Sequence, residues 1–227
     1  MPRATARRRP LTVELVGPAG AGKSTVLECL KDRLPLCPGS VWGLPTPLLL
    51  ASAVGLLPTV VGLCRQARSF RWSEIKQLIR LRALYRLLAR PPADPDRVVV
   101  LDEGPVFVLS WLLVFGHPSV RNGALHGWWQ RTLRDWADVI DVVILLDAPD
   151  PVLARRIRQR AKPLSVRDKG DRDIFAFSAS FRAAFERVLA ALRDEGGPRV
   201  LSLAGDAPAA ETAARVLAAL TDANHGR

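Results

Sequence analysis

The amino-acid sequence predicts an α/β domain, with a parallel sheet of about five strands between two layers of helices. Short apolar runs that begin near residues 12, 97 and 141 have the composition of strands buried on both faces. Each run leads into a segment with helical features, and such alternation favours a parallel sheet with right-handed crossovers. Because no internal repeat or low-complexity stretch divides the chain, we expect one domain over residues 11–222.

The first strand runs into the sequence GPAGAGKST, which matches the pattern G-x-x-x-x-G-K-[ST] of a phosphate-binding loop, or Walker A motif. Glycines let such a loop turn its N–H groups towards phosphate oxygens, and the helix predicted over residues 23–34 adds a favourable dipole. The lysine of this pattern reaches the β- and γ-phosphates, and the first hydroxyl binds Mg²⁺, so Ser24 is a predicted metal ligand. The predicted fold is therefore the three-layer fold of P-loop NTPases. The predicted nucleotide-binding residues are Gly17, Pro18, Ala19, Gly20, Ala21, Gly22, Lys23, Ser24 and Thr25.

Residues 34–64 carry no charged side chain and no histidine. A membrane-spanning helix requires about 20 mostly apolar residues, but Pro45, Pro47 and Pro58 interrupt this stretch. We therefore expect buried or pocket-lining segments here, in preference to membrane contact.

Two further helices are predicted from apolar residues at helical spacing. The helix over residues 73–90 has Ser73 as its predicted N-cap and carries lysine and arginine on its second face. Trp129 and Trp136 lie on one face of the other helix. These tryptophans are expected in the core or in a subunit interface, which leaves a homodimer open.

The second core strand, residues 97–104, ends in the carboxylates of Asp102 and Glu103, directly before a helix predicted to begin at Pro105 and to stop near residues 116–118. Parallel α/β sheets bind their ligands at the carboxyl ends of the strands. We therefore assign Asp102 to Mg²⁺, and either Asp102 or Glu103 to the acceptance of a proton. The alternative is that the pair only stabilises the start of the next helix.

The third core strand begins at residue 141 and leads into a densely basic helix over residues 151–160, which places Arg156 and Arg160 on one face. The polar link after this helix is also basic. Residues 160–173 are therefore a predicted lid that closes over a triphosphate and neutralises charge on the transferred phosphoryl group. The alternative is a solvated basic face. A helix, a strand and a final helix complete the domain.

The chain of 227 residues contains 33 Lys and Arg against 22 Asp and Glu, and its formal net charge of +11 favours an anionic partner. Residues 1–10 hold part of this excess and are expected to form a flexible basic tail. The three cysteines have neither disulfide nor zinc-binding spacing, and no secretory apolar segment is recognised at the N-terminus. We therefore expect a cytoplasmic protein.

These motifs resemble those of the P-loop small-molecule kinases, and within them the thymidylate kinase-like nucleoside and nucleotide kinases. The resemblance is carried in order by GPAGAGKST, VVVLDEG, LLDAPDPVLARRIRQR and VLSLAGDAPAAETAARVLAAL. It implies ATP and Mg²⁺ as cofactors, Arg160 as a lid arginine and Arg156 as the helical arginine of the family. It also implies that the loop at residues 204–208 borders the adenine.

Two departures from the thymidylate kinase pattern concern the acceptor. Thymidylate kinases typically carry Asp-Arg at the end of the third strand, whereas Asp102 and Glu103 resemble a pair with which ATPases polarise water. The family's acceptor-phosphate arginine follows the second strand, whereas this chain has no arginine between Arg33 and Arg65. The candidates to replace it are Arg65, Arg68, Arg71 and Arg80.

Two classes of function are consistent with the sequence. We favour an ATP- and Mg²⁺-dependent kinase that transfers the γ-phosphoryl group to a small molecule seated under residues 41–90. The alternative is an ATPase or nucleotide switch that acts on a protein, membrane or nucleic-acid partner, although a nucleic-acid partner is not expected. The sequence contains neither the Asn-Lys-x-Asp motif of GTPases nor the signature of ABC ATPases. The predicted catalytic residues are Lys23, Asp102, Glu103, Arg156 and Arg160.

Overall fold

The computed structural model describes residues 10–31, 33, 36–67, 71–90, 98–117, 126–160 and 164–225. The expected basic tail lies outside the described residues except for Pro10, and so do Arg68 and residues 161–163 of the expected lid.

The described strands are β1 (Leu11–Val16), β2 (Leu36–Gly39), β3 (Val98–Asp102), β4 (Val142–Asp147) and β5 (Arg199–Ala204). They form one parallel sheet in the order β2-β3-β1-β4-β5, which confirms the predicted sheet of about five strands. The central strand β1 pairs with β3 on one side and β4 on the other, so the carboxyl ends of these three strands meet at one edge.

Helices cover both faces of the sheet, which confirms the three-layer fold. The described helices are α1 (Lys23–Lys31), α2 (Thr46–Ala67), α3 (Trp72–Leu88), α4 (Pro105–Phe115), α5 (His126–Ala137), α6 (Asp150–Gln159), α7 (Asp171–Asp194) and α8 (Ala209–His225). One apolar cluster lies between the sheet and helices α1 and α8. The larger cluster packs helices α3, α4, α5 and α7 on the opposite face, with Trp136 buried within it.

Helix α3 begins earlier than predicted, because Arg71 and not Ser73 is its N-cap. The carboxylate of Glu74, which is fully buried, accepts the backbone N–H of Arg71 at 3.0 Å and that of His117 at 2.7 Å. This carboxylate satisfies a backbone donor at the start of the helix and ties α3 to the segment that follows α4.

Helix α2 corrects the prediction that the uncharged stretch is buried. Its aliphatic side chains divide between two faces, because α2 packs against α3 along one side. Leu48 and Leu56 are buried on that side. The exposed large aliphatic residues of α2 are Leu50 at 63 %, Val54 at 67 %, Leu57 at 56 % and Val61 at 47 %. Within the described ranges, no helix combines the length and the hydropathy needed to cross a bilayer.

Candidate active site

A cavity of about 1120 Å³ opens at the carboxyl edge of the sheet, where β1 and β3 end. Single-ligand pockets typically measure about 300–1,000 Å³, so this cavity has room for a nucleotide and a second small molecule. The sequence-predicted loop residues line it except for Pro18. All five predicted catalytic residues also line it, namely Lys23, Asp102, Glu103, Arg156 and Arg160.

The phosphate-binding loop adopts a backbone conformation that requires glycine. Gly17 has a φ of 151° and Gly20 a φ of 85°, in a region that residues with a side chain rarely occupy. A Cβ atom at Gly17 would lie 2.0 Å from the carbonyl oxygen of Leu146 in β4. The loop therefore sits directly against the neighbouring strand, and its glycine pattern has a steric cause.

Lys23 begins α1 and folds back onto the loop, where its Nζ donates to the carbonyl oxygens of Gly17 at 2.7 Å and Pro18 at 3.0 Å. Burial of the ammonium group lowers the pKa of Lys23 to about 8, while the negative charge of Asp102 opposes the shift. The positive charge of Arg160 lowers the pKa further. The predicted site residues thus share one electrostatic environment.

The turn after β3 holds Glu103 in a left-handed conformation, with a φ of 60°. The carboxylate of Glu103 accepts a hydrogen bond from the indole N–H of Trp42, and its carbonyl oxygen accepts the N–H of Val41 at 3.4 Å. Arg80 lies over the ring of Trp42, with its guanidinium carbon 3.9 Å from the ring centroid. The segment before α2 therefore fixes the orientation of one predicted catalytic carboxylate.

Arg156 connects the phosphate-binding loop to the loop that follows β5. Its guanidinium donates to the carbonyl oxygen of Gly205 at 2.6 Å and to that of Gly20 at 3.3 Å. Gly205 and Ala207 also line the cavity. The residues that the family resemblance places beside an adenine thus lie next to the phosphate loop.

Within the expected lid, residues 160–173, the described loop at residues 164–170 is anchored between two helices. Val166 packs with Ile157 of α6 and Ile174 of α7 in a small apolar cluster. Arg158 donates to the carboxylate of Asp171 at 2.5 Å, which joins the far end of this segment to α6. Leu164 and Ser165 line the cavity.

An aromatic wall, which the sequence reasoning missed, also lines the cavity. It is built by α4 and α7, and the rings of Phe107 and Phe181 stack with centroids 6.3 Å apart. The missed signal was the spacing of aromatic residues at every fourth position of both helices. The five residues of this wall are Phe107, Trp111, Phe115, Phe177 and Phe181.

Residues 41–90, under which the acceptor is expected to bind, contribute little of the cavity lining. Of the described residues in that segment, the cavity is lined by Arg71 and Ser73 alone. The reason is packing, because α2 contacts α3, and α4 and α7 pack against each other beside the cavity. Of the three candidates for the missing acceptor arginine that the structure describes, Arg65, Arg71 and Arg80, Arg71 lines the cavity.

Arg182 of α7, also missed in the sequence, ties the end of β4 to the start of α6. It donates to the carboxylate of Asp147 at 2.7 Å, to that of Asp150 at 2.6 Å and to the carbonyl oxygen of Ala148 at 3.0 Å. The hydrogen bonds to Asp147 raise the pKa of Arg182. Arg182 thereby supports the helix that carries Arg156.

The donor atoms at this edge suit Mg²⁺ bound together with phosphate. Ser24 and Asp102 both line the cavity and offer hard oxygen ligands. In the described parts of the chain, no group of three or more His, Cys, Asp or Glu is arranged to hold a metal ion by itself. Mg²⁺ characteristically binds through one or two carboxylates plus substrate phosphates, so the residues present fit this ion.

Comparison with known proteins finds likeness in structure and not in sequence. No protein-family model and no curated protein sequence matches the chain. Deoxyadenosine kinase from M. mycoides with bound dATP is similar with a TM-score of 0.59 and 14 % identity, over 93 % of this chain and 100 % of that one. Thymidylate kinase from Candida albicans is similar with a TM-score of 0.58 and 15 % identity, over 96 % of this chain and 94 % of that one.

The fold is therefore that of the nucleoside and nucleotide kinases. At these identities the likeness concerns the fold alone, because one fold hosts many functions and activity depends on the site.

Proposed function

We propose that this protein is an ATP- and Mg²⁺-dependent kinase that transfers the γ-phosphoryl group to a small-molecule acceptor, either a nucleoside or nucleotide or another metabolite with an apolar ring. The observation that carries the proposal is the composition of one cavity. The phosphate-binding loop, which we take as the donor half, and the aromatic wall, which we take as the acceptor half, both line it, and Asp102 and Glu103 line the same cavity.

The donor half would hold the triphosphate of ATP. Backbone N–H groups of the loop face phosphate oxygens in such motifs, and Lys23 exchanges its two carbonyl partners for the β- and γ-phosphates. Arg156 and Arg160 add positive charge from the side of α6. Ser24 and Asp102 would hold Mg²⁺, which would offset the charge of the phosphates.

The proton of the acceptor would pass to Glu103, because Asp102 is assigned to the metal. The acceptor hydroxyl oxygen attacks the γ-phosphorus, the bond from that phosphorus to the bridging oxygen breaks, and ADP leaves with the bond's electron pair. The hydroxyl proton moves to the carboxylate of Glu103. Trp42 holds that carboxylate by its indole N–H. Catalysis of this kind depends mainly on positioning and electrostatics.

The aromatic wall supports an acceptor that contains a flat or apolar ring. Aromatic pairs add about 0.5–1.5 kcal/mol beyond the area that they bury, and Phe107, Trp111 and Phe177 all contribute to the cavity surface. The similar solved structures are a deoxyadenosine kinase and a thymidylate kinase, which motivates nucleosides and nucleotides as the first acceptors to test.

The second candidate function is an ATPase or nucleotide switch, which the position of Glu103 favours. A carboxylate beside the phosphates is able to polarise water in place of an acceptor hydroxyl. The aromatic wall argues against this function, because water requires no apolar subsite.

The deciding experiment incubates full-length protein with γ-labelled ATP, Mg²⁺ and a panel of nucleosides, nucleotides, sugars and lipid-like alcohols. We expect label on one acceptor class, and its loss in Lys23→Ala. Lys31→Ala is the matched control, since Lys31 ends the same helix and pairs with Glu28 at the surface. Acceptor-independent phosphate release that Glu103→Gln abolishes would contradict the kinase and support the ATPase.

A further inference from the structure

Glu14 is a fully buried acidic residue in the middle of the central strand β1. Its neighbours in the strand, Val13 and Leu15, belong to the apolar core. Because a buried polar group is costly without hydrogen bonds, the partners of Glu14 indicate what the residue does.

The partners of Glu14 are backbone N–H groups at the start of α4, more than 90 positions along the chain. Its Oε2 accepts the N–H of Val106 at 3.0 Å, and its Oε1 accepts that of Phe107 at 3.0 Å. The first N–H groups of a helix have no partner inside the helix. Gly104, the N-cap residue of α4, provides no side-chain cap, so Glu14 caps this helix from another strand.

The approach of Glu14 requires glycine at position 104. A Cβ atom on Gly104 would lie 2.7 Å from the Cδ of Glu14 and 3.0 Å from each of its carboxylate oxygens. Because real Cβ atoms essentially never approach to 2.7 Å, a side chain there would displace the carboxylate from the amides that it caps. Glu14 and Gly104 therefore form a matched pair.

The turn that this pair holds carries both carboxylates of the candidate active site. Asp102 ends β3 and lies beside Leu15 in the strand register. Glu103 follows in a left-handed conformation that is costly for a residue with a side chain. Such a conformation persists where surrounding contacts fix it, and Glu14 supplies those contacts on the α4 side.

We propose that Glu14 is a positioning residue, which caps α4 and packs against Gly104 so that the turn presents Asp102 and Glu103 to the phosphate-binding loop. The roles of Asp102 and Glu103 rest on the proposed function. The contact between Glu14 and the turn does not depend on the proposed function, so the contact and the function can be tested separately.

Amide hydrogen exchange and nucleotide binding test the proposal in the full-length protein. Glu14→Gln replaces one accepting oxygen by an NH2 group that cannot accept, so one of the N–H groups of Val106 and Phe107 loses its acceptor and should exchange about tenfold faster. ATP binding without Mg²⁺ depends on the phosphate loop and should remain within about twofold of wild type. The gain in ATP affinity that Mg²⁺ provides should fall about tenfold, as for groups that orient metal ligands.

Glu74→Gln is the matched control, because Glu74 is equally buried and accepts two backbone N–H groups, that of Arg71 at the start of α3 and that of His117 after α4. Glu74→Gln should lose about as much thermal stability as Glu14→Gln. The gain in ATP affinity that Mg²⁺ provides should remain that of wild type. The same result for Glu14→Gln would overturn the proposal, because it would show a purely structural role.

Gly104→Ala tests the same contact if Glu14→Gln does not fold, since it keeps Glu14 and displaces its carboxylate. Faster amide exchange at Val106 and Phe107, together with a smaller gain in ATP affinity on addition of Mg²⁺, would support the proposal. Exchange rates and a gain in affinity equal to those of wild type would overturn it. If Mg²⁺ gives wild type no gain in ATP affinity, the proposed function fails, whereas faster exchange in the variants would still support the contact between Glu14 and the turn.

Discussion

The indole N–H of Trp42 donates to the carboxylate of Glu103, although the two residues lie 61 positions apart. Trp42 is 48 % exposed, and its ring carries the guanidinium of Arg80 on one face. The carboxylate proposed to receive the acceptor proton is therefore oriented by a surface loop. This contact provides a way to change that orientation without changing the carboxylate itself.

Trp42→Phe should reduce phosphoryl transfer to the acceptor about tenfold. Phenylalanine keeps a ring beneath Arg80 but removes the N–H, and a hydrogen bond to a charged group contributes about 1.5–3 kcal/mol. The affinity for ATP should not change, because Trp42 does not line the cavity beside the phosphate loop. Turnover of the labelled acceptor and equilibrium binding of ATP measure the two effects.

The matched control for this prediction is Trp72→Phe. Trp72 is 62 % exposed at the start of α3, the helix that also carries Arg80, and its ring lies beside Lys76. Turnover by this variant should equal that of wild type. If Trp42→Phe also retained full turnover, the hydrogen bond to Glu103 would have no part in the reaction.

Glu14 should make the stability of the protein fall as pH rises. Burial raises the pKa of Glu14 from its ordinary value of 4.5 to about 8, although the N–H groups of Phe107 and Val106 oppose the shift. Between these two values the folded state binds more protons than the unfolded state, so the free energy of unfolding decreases with pH. Urea unfolding across this window should show the decrease in wild type and a smaller one in Glu14→Gln. Glu74→Gln, which keeps Glu14, should retain the wild-type slope.

The parts of the site that the sequence predicted are those encoded by neighbouring residues. The phosphate-binding loop is a contiguous pattern whose spacing follows from backbone geometry, and Asp102 and Glu103 follow directly from the end of a core strand. The phosphate-binding loop and these two carboxylates lie at the same edge of the sheet, because the carboxyl ends of adjacent parallel strands lie side by side.

The parts that the sequence did not predict depend on contacts between distant residues. The hydrogen bond from Trp42 to Glu103 spans 61 positions in the sequence. The hydrogen bond by which Glu14 caps α4 at Val106 spans 92 positions. The ion pair of Arg182 with Asp147 spans 35 positions. No local pattern encodes such pairs. One signal was present, because an acidic residue inside an otherwise apolar strand must find polar partners when it is buried.

Helix α2 offers a stability test with two adjacent leucines. Leu56 is 7 % exposed and belongs to the large core cluster, whereas Leu57 is 56 % exposed. Leu56→Ala should lower the free energy of unfolding by about 2–3 kcal/mol through lost burial and a cavity. Leu57→Ala should change it by less than about 0.5 kcal/mol. Equal losses in urea unfolding would mean that the outer face of α2 is also covered in solution.

Arg182→Ala should lower the free energy of unfolding by about 1–2 kcal/mol. The substitution removes charged hydrogen bonds to Asp147 and Asp150, but Asp147 is 39 % exposed and solvent screens part of the interaction. The control is Arg187→Ala, an exposed arginine on the same helix. Thermal unfolding of both variants checks the prediction, and a loss no larger than that of the control would show that the bridge to α6 is dispensable.

Phe177→Leu should weaken the binding of the acceptor and leave the KM for ATP unchanged. Phe177 belongs to the aromatic wall and its ring lies 5.1 Å from that of Phe181. Leucine keeps an apolar surface but loses the aromatic contact, worth about 0.5–1.5 kcal/mol, so the KM for the acceptor should rise about two- to tenfold.

Phe175→Leu is the matched control, because Phe175 lies on the same helix but packs beside Val166 and does not line the cavity. Steady-state kinetics with the acceptor found in the labelled panel give both KM values. A higher KM for ATP at unchanged acceptor KM would place the aromatic wall in the donor half, and the acceptor would then have to bind elsewhere in the cavity.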